Sequence, residues 1–251
     1  MTLPFDPAEA LLILGVFTLA GCVKGLAGFG LPTVTLGLLA LSRPLPEAMA
    51  LTLMPALLTN VWQALAGPAL RPALRRLWSF LLAAAAGTVA GAGVLARADA
   101  LLLSGLLGLL LVASAGLALL GRPWPAPGPG REAWVSPAMG AASGFVSGMT
   151  GSFLMPAGPY LAALRLPAPE FVQGFGLGVV VSTVVLALAL AGHGLLPREL
   201  GLASLAGVLP AFAGMLAGQR LRRGLPDARF RQMVQVALGV LGAWLAVKAF
   251  R

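Results

Sequence analysis

Charged side chains are scarce in this chain: they make up 10% of its 251 residues, against 59% hydrophobic. A soluble domain is about a quarter charged, so this composition cannot build a water-facing surface all round. Cysteine occurs once, at Cys22, which excludes an internal disulfide and a cysteine-based metal cluster. The plainer role for that residue is a small buried apolar group. Histidine also occurs once, as His193 in "AGHGLLP", and reads as an exposed loop residue rather than a proton relay. The acids lie outside the long apolar runs. No His-Asp pair, paired carboxylate or metal-ligand cluster is therefore available inside those runs to serve a membrane enzyme. The opening "MTLPFDPAEALL" carries acids and no basic cluster, unlike a cleaved signal peptide.

What is present is length without charge. Uncharged runs cover residues 48–70, 77–96, 100–121, 133–164, 171–197 and 200–219. Each reaches the roughly 20 residues that cross a bilayer core. Shorter runs at 10–23, 25–42 and 232–247 continue the pattern. The polar–apolar alternation of a membrane barrel is missing. The sequence predicts an all-α polytopic membrane protein. Its net charge of +9 does not point to nucleic acid. The basic residues flank the apolar runs, as cytoplasmic loop charges do, and there is no aromatic-studded basic surface to stack bases.

Shifted by 123 residues, the separation of Gly21 from Gly144, the chain matches itself without a gap. Gly25 meets Gly148, Gly28 meets Gly151, Gly91 meets Gly214, Arg97 meets Arg220 and Gly116 meets Gly239. The block Pro44, Pro46, Glu47 meets Pro167, Pro169, Glu170. This gives a first membrane repeat over 1–120, a linker "GRPWPAPGPGRE" over 121–132, and a second membrane repeat over 133–251. The Pro and Gly of the linker cannot continue a helix. Each half has an apolar segment, a Gly-rich break, a short apolar segment and three full-length segments. The full-length ones are 47–66, 76–95 and 100–120, then 170–191, 198–218 and 230–249.

One straight helix over 8–42 would be about 51 Å long, against a hydrocarbon core about 30 Å thick. The break must reverse the chain, as a hairpin or a re-entrant pair. Either way each half makes an odd number of crossings, and the second half is predicted to be inverted. Loop charges agree. The loop with Arg71, Arg75 and Arg76 carries +3, and its mate with Arg198 and Glu199 carries zero. The loop with Arg97 and Asp99 carries zero, and its mate with Arg220, Arg222, Arg223, Asp227, Arg229 and Arg231 carries +4. Paired loops with opposite basic bias fit inverted repeats under the positive-inside rule. The linker arginines Arg122 and Arg131 fall inside, and Asp6 and Glu9 fall outside. Lys248 and Arg251 also fall outside, against the rule.

The stretch "GCVKGLAGFGLP", residues 21–32, places Lys24 and four glycines inside an apolar run. Backbone that leaves the helix within a membrane must be satisfied by protein, water or ligand. Gly25, Gly28 and Gly30 permit close approach, and Pro32 suits the first turn of a new helix. A helix N-terminus facing the break would favour an anion. Lys24 is the only charged residue between Glu9 and Arg43. At mid-membrane a lysine costs about 2.5–3.5 kcal/mol on insertion scales, so it reads as a cation that holds an anion. The alternative is a lysine that snorkels to the interface. Its mate is Ser147.

The second break offers hydroxyls at Ser147, Thr150 and Ser152, with Gly148 and Gly151. These could donate to oxyanion oxygens, or bond their own helix while the glycines serve packing. Pro156 and Pro159 follow this break as Pro32 follows the first. In "LMPALLTNVWQAL", Asn60 and Gln63 share a helix face beside Thr59. They either line the cavity or bridge helices. Glu47 and Glu170 fit helix starts. Trp124, Trp134 and Tyr160 fit interfacial anchors.

The breaks "VKGLAGFGLPTVTLGLLAL" and "SGFVSGMTGSFLMPAGPYLAALRLPAPE" resemble the two Gly-rich signatures of the TauE/SafE family of membrane permeases. The first reads Val-Lys-Gly-x-x-Gly-Phe-Gly, as in one branch of that family, which adds Phe29 to the candidate site. The second has Ser152 and Phe153 where the family commonly has glycine. The resemblance implies an anion permease of the bacterial cytoplasmic membrane, associated with sulfite and small sulfonates such as sulfoacetate. It implies no cofactor, no metal and no enzymatic activity. The expected partners are a small anion and the bilayer. Import against export, the coupling ion and the oligomeric state, a homodimer included, stay open. So do an anion channel and a carrier of a non-sulfur organic anion.

Overall fold

The structure, a computed structural model, describes residues 6–121, 124–128, 130–222 and 227–249, with the backbone alone over 227–231. Arg122, Arg223, Arg251 and the side chains of Asp227, Arg229 and Arg231, counted above among the loop charges, lie outside the described residues. The described elements are all helices: α1 (Pro7–Ala27), α2 (Leu31–Leu39), α3 (Leu45–Leu65), α4 (Leu70–Leu95), α5 (Ala100–Leu120), α6 (Glu132–Thr150), α7 (Ala157–Ala163), α8 (Ala168–Gly192), α9 (Arg198–Ala206), α10 (Val208–Leu221) and α11 (Asp227–Ala249). Seven stretches among the described residues are long and apolar enough to cross a membrane: α1, α3, α4, α5, α8, α9 with α10, and residues 232–249 of α11. Large apolar side chains crowd the outer surface, with Leu11, Leu120 and Leu188 each 70% exposed. Such a surface belongs in lipid. The protein is a multi-pass membrane protein.

Local chemistry sets the helix ends. The Asp6 carboxylate accepts from the Glu9 N–H at 2.9 Å and starts α1. Asp99 does the same for α5 through the N–H groups of Leu101 and Leu102. α3 and α8 both begin inside their Pro-x-Pro-Glu blocks, directly after the first proline, with the glutamate in the first turn. α1 and α6 end on Gly28 (φ 86°) and Gly151 (φ 74°), the left-handed geometry that stops a helix. Both predicted breaks are therefore present. α2 has nine residues and α7 has seven, about 14 Å and 11 Å long, too short to cross. α2 returns beside α1, so that Arg43 pairs with Glu9 as well as with Glu47. That end of the bundle also holds the C-terminal part of α11, whose Lys248 donates to the Leu41 carbonyl at 3.3 Å. The Arg76–Glu132 pair, with contacts of 2.9 and 3.1 Å, joins the starts of α4 and α6.

The helix contacts map onto themselves when the halves are exchanged. α1 packs on α10 as α6 packs on α4; α3 meets α9 as α8 meets α4; α3 meets α8, and α5 meets α11. Glycines make the two cross-half pairs. A Cβ on Gly21 or Gly25 would overlap the carbonyl oxygens of Ala211 and Met215. A Cβ on Gly144 or Gly148 would overlap those of Ala84 and Thr88. Small residues that let backbones touch are the usual adhesive of membrane helices.

One detail departs from the gapless match. Gly214 and Gly218 sit against Thr18 and Cys22, whose mates are Ala141 and Phe145. The glycines against Ala141 and Phe145 are Gly87 and Gly91. The structural partner of Gly214 is thus Gly87, one helical turn from Gly91. The slip arises in α8, which has 25 residues where α3 has 21.

Tyr160, expected at the interface, is buried and stacked on Phe80 with ring centroids 5.8 Å apart. Trp134 is exposed and Cys22 is half-buried, while His193 is exposed at the end of α8.

Candidate functional site

A cavity of about 590 Å³ lies between α1, α3, α8 and α10. Its rim carries the α3–α4 turn (Ala66, Gly67), the start of α8 (Pro169) and the end of α10 (Gln219, Arg222). It therefore faces the end of the bundle that holds the Arg76–Glu132 pair. At depth it is lined by Lys24, Gly25, Gly28 and Gln63.

Lys24 is 2% exposed. Its ammonium donates to the Thr59 hydroxyl at 3.3 Å, the one hydrogen-bond partner it has among the described residues. Thr59 in turn donates to the Pro55 carbonyl at 2.6 Å. Its hydroxyl proton is thus committed, and a lone pair is left to face the ammonium. Pro55 has no N–H to offer the Leu51 carbonyl four residues back. Ser204 of α9 donates to that carbonyl at 2.7 Å and accepts from the Met54 N–H at 3.0 Å. α3 is therefore held across its proline, one turn from Thr59. Among the described residues no carboxylate lines the cavity, so the buried Lys24 beside it has a neutral hydroxyl as its hydrogen-bond partner. A buried charge left unpaired is costly, and an anion in the cavity would relieve that cost.

Two glutamines fix the wall opposite. Gln63 donates from its amide to the Val172 carbonyl at 2.8 Å. Gln173 is 2% exposed and clamps the α3–α4 turn. Its amide nitrogen donates to the carbonyls of Ala64 (2.6 Å) and Gly67 (3.1 Å), and its oxygen accepts from the Ala69 N–H at 2.6 Å. Gly67 leaves the space that this amide occupies.

Of the residues singled out in the sequence, Lys24, Gly25, Gly28 and Gln63 come together at this cavity. Gln63 both lines it and bridges helices. Asn60 is buried and donates to its own helix at Ala56, 2.7 Å away. Phe29 packs on Phe175 and Phe171 with centroids 5.7 and 6.5 Å away, and Gly30 borders a separate recess of about 30 Å³. Leu31, Pro32 and Thr33, which open α2, are buried and do not line the cavity.

The residues of the second break lie elsewhere. Ser147 accepts from Ser182 at 2.8 Å, and Ser182 meets Thr88 at 3.1 Å. Gly148 packs on α4 and Gly151 on Leu36 and Met49. Thr150 donates to Val146, and Ser152 meets Thr33 at 3.1 Å, where the two breaks touch. Thr59 was noted beside Asn60 and Gln63, whereas Trp62, Gln173, Gln219 and Arg222 were not among the candidates. Gln173 carries a signal in hindsight, as a polar residue within an apolar run that must find a partner.

The family model described as "Sulfite exporter TauE/SafE" matches residues 12–245. No curated protein and no solved structure matches the chain. The match spans both breaks, both glycine-packed helix pairs and every residue that lines the Lys24 cavity: the chain belongs to the TauE/SafE family of sulfite exporters.

Proposed function

We propose that this protein is a secondary transporter of the bacterial cytoplasmic membrane that moves a small anion, sulfite or a small organosulfonate, by alternating access. The observation that carries this reading is the fully buried Lys24 ammonium at the cavity, with one neutral partner at 3.3 Å. Family membership supports the substrate class. The exchange symmetry of the helix contacts supports two repeats of inverted topology, with the linker between them and Arg71, Arg75 and Arg76 on the cytoplasmic side. The cavity then opens to the cytoplasm, and its bound anion is held by Lys24 and by polar groups near Gln63.

The described cavity has no carboxylate to carry a coupled proton. Outward movement of a monoanion from an inside-negative cell is downhill by about 2.3 kcal/mol per 100 mV. Both points support export driven by voltage alone.

The test is thermal unfolding of purified protein against sulfite, sulfate, thiosulfate, sulfoacetate, lactate and chloride, followed by efflux of the best binder from proteoliposomes at fixed voltage. The expected result is stabilisation by a sulfur oxyanion, lost in Lys24→Ala, and efflux that needs no proton or sodium gradient. Stabilisation that survives Lys24→Ala would remove the lysine from the site.

A further inference from the structure

The two halves hold the same polar pair in different surroundings. Lys24 meets Thr59, and their mates under the 123-residue shift, Ser147 and Ser182, meet each other. The first pair stands beside a cavity of about 590 Å³. Beside the second break lies a cleft of about 10 Å³ lined by Met49, Gly151 and Leu186, among others. Those three are the mates of Val172, Gly28 and Gln63, which line the open cavity. The cleft is the same place in the other half, shut.

The glycines show how far it is shut. A Cβ on Gly28 would find Val172 alone, at 3.8 Å, whereas one on Gly151 would meet Met49 and Leu36, both at 2.9 Å. The cleft also takes Pro32 and Leu36 from α2 and Thr52 from the first half of α3. It lies toward the bundle end where Glu9, Arg43 and Glu47 pair, away from the open cavity's rim.

We infer that the cleft between Met49, Gly151 and Leu186 is the closed second mouth of the transport route, the opening through which the anion leaves on the far side of the membrane. This rests on the transporter reading above. In the opposite state the halves exchange their roles. α2 and α3 draw away from Gly151 as α8 now stands off Gly28, and the cavity on the Lys24 side shuts. The chemistry of this mouth differs from that of the first. Serine stands where the first has Lys24, and leucine where it has Gln63. Among the described residues that line it, the exit is thus weakly polar and has no cation, which suits release.

The experiment uses the full-length protein with Cys22→Ser as the parent, and Met49→Cys, Leu186→Cys and exposed His193→Cys added singly. A membrane-impermeant cationic thiol reagent is applied to the outer face of right-side-out vesicles during sulfoacetate efflux. Val172→Cys, probed from the inner face, reports the open cavity. The expected result is modification of Met49→Cys and Leu186→Cys from outside, about tenfold faster during efflux than without sulfoacetate, with loss of efflux as they react. His193→Cys reacts at one rate throughout and leaves efflux intact. Since every transport cycle must open the exit, continued efflux with Met49→Cys and Leu186→Cys unreacted overturns the inference and leaves the transporter standing. A parent that neither binds nor moves sulfoacetate, sulfite or any other anion of the panel, with Val172→Cys reactive from inside, overturns the transporter reading and this inference with it.

Discussion

The first and second breaks are the same device in two settings. Both end a long helix on a left-handed glycine, both are followed by a helix too short to cross, and both place a polar pair behind the break. In the first half that pair is an ammonium and a hydroxyl beside open space. In the second it is two serines extended to Thr88, buried and satisfied. The lesson is that a shared fold supplies the place, and a single substitution, lysine against serine, supplies the chemistry. The hydroxyl chain needs no ligand. The ammonium does.

The comparison breaks most completely at the lysine. In Lys24→Ala, the stabilisation of about 2.7 kcal/mol that a ligand gives at 100 times its dissociation constant should vanish, and efflux with it; thermal shift and proteoliposome flux measure both. Next in size is the packing. Gly21→Val should destabilise by about 1–3 kcal/mol or more, because backbone rather than a flexible side chain occupies the space. Gly15→Val, where nothing lies within 4 Å of a Cβ, is the control, and the two melting temperatures in one detergent decide it. Gln173→Leu removes three hydrogen bonds from the α3–α4 turn. Each unsatisfied backbone group costs about 1–3 kcal/mol, so faster hydrogen exchange over residues 64–69 is the readout. Smallest is Ser182→Ala. Interhelical hydrogen bonds in membranes average about 0.6 kcal/mol, so its melting temperature should barely move and its anion shift should be unchanged. A large loss of anion stabilisation in Ser182→Ala would mean that the second pair also serves the ligand.

Much of this was legible in the sequence because it was written in glycine, proline and charge. The breaks at Gly28 and Gly151 and the paired starts of α3 and α8 follow from residues whose backbone behaviour is fixed. Lys24 stood out because a charge inside an apolar run must find a purpose. What was not legible depends on which of two equivalent clefts is open. Both breaks carry candidate site residues in the sequence, yet Ser147, Thr150 and Ser152 find partners within the protein while Lys24 lines a cavity. The local sequence states lysine against serine but not which break adjoins a cavity, because that depends on how the surrounding helices pack. The one-turn slip between Gly91 and Gly214 was hidden for another reason. Four extra residues at the end of α8 are invisible when glycines recur every four positions along a helix face.

The glycine-packed pairs carry a consequence for how the protein is made. α1 belongs to the first half and packs on α10 of the second. The ribosome must therefore add the residues between Ala27 and Val208 before α1 meets its partner. At 5–20 residues per second that is roughly 10–40 s. Through that interval the Gly21–Gly25 face of α1 lies against lipid or another helix, while Lys24 waits in the membrane without the cavity that will house it. α4, by contrast, finds α6 about 40 residues later, after only a few seconds at the same rate. Of the two glycine-packed pairs, the one that lines the Lys24 cavity assembles later, so insertion of α1 with its lysine leaves a membrane chaperone a long time to act.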